Sequence, residues 1–250
     1  MSGHSKWHNI RLRKGKQDAE RGALFTKLAR EIIIAAKAGG GNPDANPRLR
    51  LAMQKARENS MPQDRIKNAI QKGTGELEGA NYEELTYEGY GPAGVAVLVQ
   101  CATDNKNRTV ADIRSIFAKN GGRLGENGSV AWMFGAPQGL IEVPLNGAAE
   151  DALLEAALDA GAEDVKAGDE AFEVYTSPGE LPKVVEALSA AGFKVQSSEM
   201  TMVPNNSVRV EGKDAQQMIR LLELLEDHDD VQQVYANFDM PDEVLETATR

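Results

Sequence analysis

Five cations, Lys6, Arg11, Arg13, Lys14 and Lys16, precede the first carboxylate of the chain, Asp18, and Trp7 stands among them. Lysine and arginine grip a phosphate backbone because each neutralised phosphate releases condensed counterions, and an indole beside them offers a face on which a base can stack. Arg21 continues the run. Farther on, Arg48 and Lys55 lie seven apart, as do Arg50 and Arg57, so each pair lines up along the side of a helix. Arg65, Lys67 and Lys72 follow. The plainer alternative is a solvated tail and an outer helix face kept in water by its charge, but such faces carry interspersed acids, and none occurs from Arg48 to Arg57. A basic arm beside basic helices is the footprint of a nucleic-acid binder.

Other chemistry-bearing residues lead less far. TDNKNRT at 103–109 places polar side chains between an apolar strand and a helix, where ligands meet α/β layers. Asn105, Asn107 and Arg108 are therefore secondary contact candidates, with Arg108 a phosphate or RNA contact, although Asn107 or Thr109 capping the helix is the plainer account. His4 and His8 are four apart, but Gly3 argues against a helix and no matching ligand is close, so no metal site is expected. GGRLGENG at 121–128 leads from a helix into a strand, the reverse of a phosphate loop, and lacks its GK[ST] ending; it is expected to be a turn. His228, in EDHDD, is expected at a surface turn. The single cysteine, Cys101, lies inside VAVLVQC, where a buried small hydrophobe is expected rather than a nucleophile. No acid/base pair or triad stands out among the carboxylates, so neither catalysis nor a cofactor is expected.

The elements that must position the cations follow from periodicity. A helix is predicted from near Asp18, with Leu24, Phe25, Leu28 and Ile32 on one face, stopped by GGG at 39–41. Asn46-Pro47 starts a second, with Leu49, Ala52, Met53 and Ala56 inward. A third runs from about Pro62 to Lys72, with Ile66 and Ile70 inward and Gly73 beyond its end. Past KGTGELEGAN at 72–81 the period becomes strand-like: a strand at 85–88, a turn over Gly91, Pro92 and Gly94, and an apolar strand at 95–101. A helix with Val110, Ile113 and Phe117 inward and a strand SVAWMF at 129–134 follow. Strands at 140–143, 171–176 and 193–203 alternate with helices at 150–161 and 179–192, and a weak strand near Val165 completes βαββαβ spacing. SVRV, the helix DAQQMIRLLELLED and the strand VQQVYANF close the pattern before PDEVLETATR.

The expected architecture is therefore multi-domain α and α+β: an N-terminal helical bundle followed by two α+β domains, the last ferredoxin-like and inserted in the second. The boundaries are 1–80, 81–134 plus 205–240, and 135–204, with an acidic tail at 241–250. Charge divides along the same lines. Residues 1–80 carry 16 Lys and Arg against 8 Asp and Glu, a net +8, and the remainder 12 against 30, a net −18, which together make the −10 of the chain. Such asymmetry suggests one part that approaches a polyanion and another that stays clear of it. No apolar run approaches the roughly 18 residues of a membrane span, and no signal-like apolar segment follows the basic start, so a cytoplasmic protein is expected.

GHSKWHNI at 3–10, KLAREIIIAAKAGG at 27–40, NPRLR at 46–50, YEGYGPAGVA at 87–96, TDNKNRT and GSVAWMF at 128–134 together resemble the YebC family of transcriptional regulatory proteins. A mitochondrial translational activator of cytochrome oxidase subunit one is similar to that family. The resemblance covers essentially the whole chain. It implies three domains, the last inserted in the second, and a non-enzymatic cytoplasmic regulator without an active site. It implies DNA-binding transcriptional control, while linking members also to the ribosome and to translation through proline-rich stretches.

Two function classes remain open at this point. A DNA-binding regulator fits the cations, but no recognition helix of a dimeric helix-turn-helix stands out. A binder of ribosomal RNA or tRNA needs only a basic arm, a stacking Trp7 and acidic domains facing away from the RNA. An enzyme acting between the α+β domains would need a polar constellation that the sequence does not show. The acidic domains are expected to recruit a protein partner, and no membrane is involved.

Overall fold

The computed structural model describes residues 19–79, 81–145, 149–168, 171–241 and 244. Helices and antiparallel sheets alternate as the periodicity requires. Helix α1 (Ala19–Gly39), α2 (Pro47–Glu58) and α3 (Gln63–Thr74) pack around Leu28, Ile32, Leu49, Ala52, Met53, Ile66 and Ala69. Five consecutive residues of α1, Ile32 to Ala36, are buried, so this helix is covered on more than one side. Leu24, expected inward, is exposed instead, because the buried positions of α1 begin at Leu28.

Asn46 starts α2 by two routes. Its Oδ1 accepts from the amide of Leu49 at 3.1 Å, while its Nδ2 donates to the carbonyls of Ala35 at 2.8 Å and Gly40 at 2.9 Å. One buried amide thus satisfies an orphan donor of α2 and the open carbonyl end of α1. Gly73 lies inside α3, not beyond it. A Cβ there would come within 2.5 Å of the Ile33 carbonyl oxygen and 2.7 Å of the Ala36 Cβ, so the glycine is where α3 meets α1. The helix ends at Gly75, whose φ of 82° is the left-handed cap.

Strands β1 (Glu83–Tyr90), β2 (Ala96–Thr103), β3 (Arg123–Leu124) and β9 (Val231–Ala236) form a sheet in the order β3-β1-β2-β9, with a short β8 (Val208–Arg209) and β10 (Phe238–Asp239) paired beside each other. Val95, Val97, Val99 and Cys101 alternate toward α4 (Lys106–Lys119) and α7 (Gly212–Asp227), meeting Ile113, Phe117, Met218 and Leu222. SVAWMF is not a strand: a 3-10 turn occupies Ala131–Met133, and the next strand begins at Phe134.

Phe134–Asn205 forms one compact unit, and the described residues on either side of it in sequence form the other. In this unit β4 (Phe134–Pro144), α5 (Glu150–Ala160), β5 (Asp164–Ala167), β6 (Ala171–Thr176), α6 (Leu181–Ala190) and β7 (Ser197–Pro204) give an antiparallel sheet in the order β5-β6-β4-β7. Ile141, Val143, Phe172 and Val174 share one face and pack on Leu153, Ala157, Val184 and Leu188 of the two helices. The weak strand expected near Val165 is β5, an edge strand whose Val165 reaches the core only in part.

Candidate nucleic-acid interface

The two rows of cations along α2 have different surroundings. Arg48 meets Glu84, at the start of β1, through both guanidinium amino groups, with Nη1 to Oε2 at 2.9 Å. The carboxylate raises the pKa of Arg48 first through this hydrogen bond. Lys55 Nζ lies 3.5 Å from Glu31 Oε2 of α1. Arg50 and Arg57 are exposed, and their side chains have no hydrogen-bond or ion-pair partner among the described residues. From Arg48 to Arg57 the sequence has no acid, yet the fold brings Glu84 and Glu31 to one row of cations and leaves Arg50 and Arg57 without a side-chain partner among the described residues. On α3, Arg65 lies over the ring of Phe25 at 5.7 Å, while Lys67 and Lys72 are exposed without a partner among the described residues. Lys6, Trp7, Arg11, Arg13, Lys14, Lys16, His4 and His8 lie outside the described residues, as does the side chain of Arg21.

The 103–109 stretch is an internal junction. Asn105, rather than Asn107 or Thr109, caps α4: its side chain accepts from the amide of Arg108 at 3.1 Å. The helix begins at Lys106, so Asn107 and Arg108 are its first turn and not a loop. Asp230, only 2% exposed, collects the rest. It accepts from Arg30 of α1 at 2.9 Å, Arg108 at 2.8 Å, Thr109 Oγ1 at 2.8 Å and Thr103 Oγ1 at 3.3 Å. Burial pushes this carboxyl up, and the bonds from Arg108 and Thr109 and the charge of Arg30 more than reverse it, leaving its pKa below the ordinary value. Arg30 also donates to the Asp229 carbonyl and lies 5.1 Å over Tyr82, and Lys27 donates to the Glu226 carbonyl. The cations of α1 are thus used to fasten the helical bundle to the β1-β2-β9 sheet. Arg108 is held by Asp230 and by Asp104, at 2.9 Å, and its role as a phosphate contact gains no support from this geometry. His228 is no surface bystander: its Nδ1 accepts from the Asp230 amide at 3.1 Å and its Nε2 faces Asp112 at 3.4 Å.

A second carboxylate shows why GGRLGENG is not a phosphate loop. Glu88, 7% exposed, accepts from the amides of Gly128 at 2.6 Å, Val130 at 2.7 Å and Ala131 at 2.8 Å. Burial alone would raise its pKa, but the three amide bonds outweigh it and hold the carboxyl below its ordinary value. The amide nest that could take an external anion is filled by the protein's own side chain. Cys101 is buried in β2, and burial first, then Asp230, pushes its thiol up to about 12, so it is no nucleophile at neutral pH. Among the described residues no cluster of His, Cys, Asp and Glu fits a metal ion, and no helix is long and apolar enough to cross a membrane.

Comparison with known proteins adds what geometry alone does not. Residues 5–76 match the TACO1/YebC protein N-terminal domain, and residues 82–238 match the TACO1/YebC second and third domain. A protein of Dictyoglomus turgidum named "Probable transcriptional regulatory protein" is 55% identical over 247 residues, 99% of each chain. One of the same name from Acidithiobacillus ferrooxidans is 56% identical over 245 residues, 98% of this chain and 97% of its own. The crystal structure of a conserved hypothetical protein from Aquifex aeolicus, 49% identical, has a TM-score of 0.79 and covers 90% of this chain and 93% of that one.

Proposed function

Because the chain belongs to the TACO1/YebC family, we propose that it is a non-enzymatic, cytoplasmic regulator of gene expression that binds nucleic acid through residues 1 to about 80, with DNA-binding transcriptional control as the first reading. The observation that carries this is the exposed cations Arg50 and Arg57 on α2, whose side chains have no partner among the described residues, with exposed Lys67 and Lys72 on α3, in the same segment as the five cations of the arm. Arg48 and Lys55 add to it, since exposed ion pairs are worth little and exchange readily for phosphate. The relatives named as transcriptional regulatory proteins support the same conclusion. The division into a basic helical domain at 1–80, an α+β domain at 81–134 plus 205–240 and an inserted ferredoxin-like domain at 135–204 belongs to this proposal, with the acidic α+β domains available to a protein partner.

The test is the salt dependence of binding. Replacing Arg50 and Arg57 together by Ala reduces the slope of log K against log salt by about 1.8 on duplex DNA, or about 1.4 on a single strand. A slope unchanged from the parent protein sinks the assignment of these residues. Crosslinking in living cells followed by sequencing separates the targets: discrete chromosomal sites support transcriptional control, and ribosomal RNA or tRNA overturns it in favour of translation.

A further inference from the structure

Residues 134–205 hold 13 Asp and Glu against 3 Lys and Arg, a net −10 that equals the charge of the whole chain. Helix α5 is the extreme of this segment. Its Glu150, Asp151, Glu155 and Asp159 are exposed, it contains no base, and none of the four carboxylates has a side-chain partner among the described residues. Asp151, Glu155 and Asp159 repeat every four residues, so like charges stack along one side of the helix and weaken it. Asp159 lies in the last turn, where the helix dipole also disfavours an anion. Lys183, near Gly161 at the end of α5, is taken by Glu180 at 2.9 Å. The neighbouring row of α5 carries Leu154, 39% exposed, and Leu158, 47% exposed. Leu153, Ala157 and Ala160 already fill the core beneath the helix, and each exposed leucine follows a buried residue by about 100° around the axis. Leu24, Leu77 and Leu224, also exposed, are scattered through the sequence, which is ordinary. Leu154 and Leu158 instead meet at i, i+4.

We propose that this face of α5 is the docking surface for a basic amphipathic helix of a partner protein. The partner's apolar row covers Leu154 and Leu158, and its lysines and arginines meet Asp151, Glu155 and Asp159. Helical recognition reads anchors at i, i+3, i+4 and i+7, which is the spacing of Asp151, Leu154, Glu155 and Leu158. Charge selects the occupant. A second copy would set the same carboxylates against one another, and a nucleic acid or an anionic bilayer would be repelled. A cationic helix relieves the repulsion along α5, so what destabilises the bare helix favours the complex. The inference rests on the reading that gives the acidic domains a protein partner, and adds to it the surface and the partner's chemistry.

The probe is a synthetic amphipathic helix of leucine and lysine, about five turns long, added to the isotope-labelled full-length protein. Amide shifts are expected to be largest from Asp151 to Asp159, with binding in the micromolar range. Leu154→Gln with Leu158→Gln keeps helix propensity and is expected to weaken the probe about ten-fold with circular dichroism unchanged. Asp151→Asn, Glu155→Gln and Asp159→Asn together are expected to weaken it about ten-fold at low salt and little at high salt. The proposal is overturned if shifts spread over the acids of 134–205 with no maximum on α5, if the double leucine variant binds as tightly as the parent, or if a lysine and serine peptide of equal charge binds as tightly as the probe. Altered sedimentation of the free double leucine variant, with probe affinity intact, overturns it in favour of contact between copies. Shifts on α5 produced by single-stranded RNA overturn it in favour of nucleic acid. Absence of probe binding beside the expected fall in salt slope for Arg50→Ala and Arg57→Ala counts against the α5 surface alone, whereas probe binding with that slope unchanged counts against the α2 assignment alone.

Discussion

Replacing Asp230 by Asn removes one negative charge at constant shape and tests whether the bundle is fastened to the sheet through this carboxylate. The Arg30 side chain that it pairs with is 11% exposed, so its guanidinium is left buried and without its counter-charge. Breaking a buried pair from one side costs about 3–5 kcal/mol, and the exposed half of Arg108, which water can solvate, brings the expectation to about 3 kcal/mol. Urea unfolding followed by far-ultraviolet circular dichroism reads this as a midpoint lowered by about 1 M or more. The midpoint is the quantity to compare, since two compact units need not unfold as one. The pH dependence supplies a sign that packing loss would not. Asp230 is held below the ordinary carboxyl value of 3.8, so its contribution is in full force above about pH 4 and fades as pH falls through the folded-state value. The parent and Asp230→Asn are therefore expected to converge in acid. A variant as stable as the parent at pH 7, or a difference that persists unchanged at pH 2, refutes the role given to this carboxylate.

Two other perturbations follow from geometry. Gly73→Ala improves helix propensity by about 1 kcal/mol, yet its methyl would meet the Ile33 carbonyl oxygen at 2.5 Å, so a net loss of about 1–2 kcal/mol is expected in thermal unfolding; a raised melting temperature would show that α1 and α3 can move apart freely. Glu88→Ala leaves the amides of Gly128, Val130 and Ala131 without their acceptor, and hydrogen exchange at these three is expected to quicken roughly ten-fold or more, with the α1–α3 amides unaffected.

Local signals were readable in the sequence and distant ones were not. Asn46-Pro47 announces α2 because a cap and an N1 proline act within one turn. The strand near Val165 was faint because an edge strand buries little, and Asp164, Lys166 and Ala167 are exposed. SVAWMF has the apolar run of a strand, but Glu88, some forty residues earlier, binds its amides and bends it into a turn. Gly73 looks like a stop signal in sequence, whereas its reason is the backbone of α1. For the interface, the cations themselves were legible; which of them remain open was not, since Glu31 and Glu84 come from other elements to meet Lys55 and Arg48. Asp230 was missed altogether, because nothing in DHDD distinguishes one aspartate from its neighbours until the turn before β9 brings it to Arg30 of α1 and Thr109 of α4.

Phe134 and Pro204 are partners in the β4-β7 ladder, so the chain leaves the flanking segments and returns to them at two points one interstrand spacing apart. Closing a long excursion normally costs entropy that grows with its length. Here the segment's own folding brings its ends together, and to the rest of the chain it is equivalent to a tight turn. A module joined in that manner can be lengthened, exchanged or lost with little strain on its host, which makes this junction a natural seam for divergence.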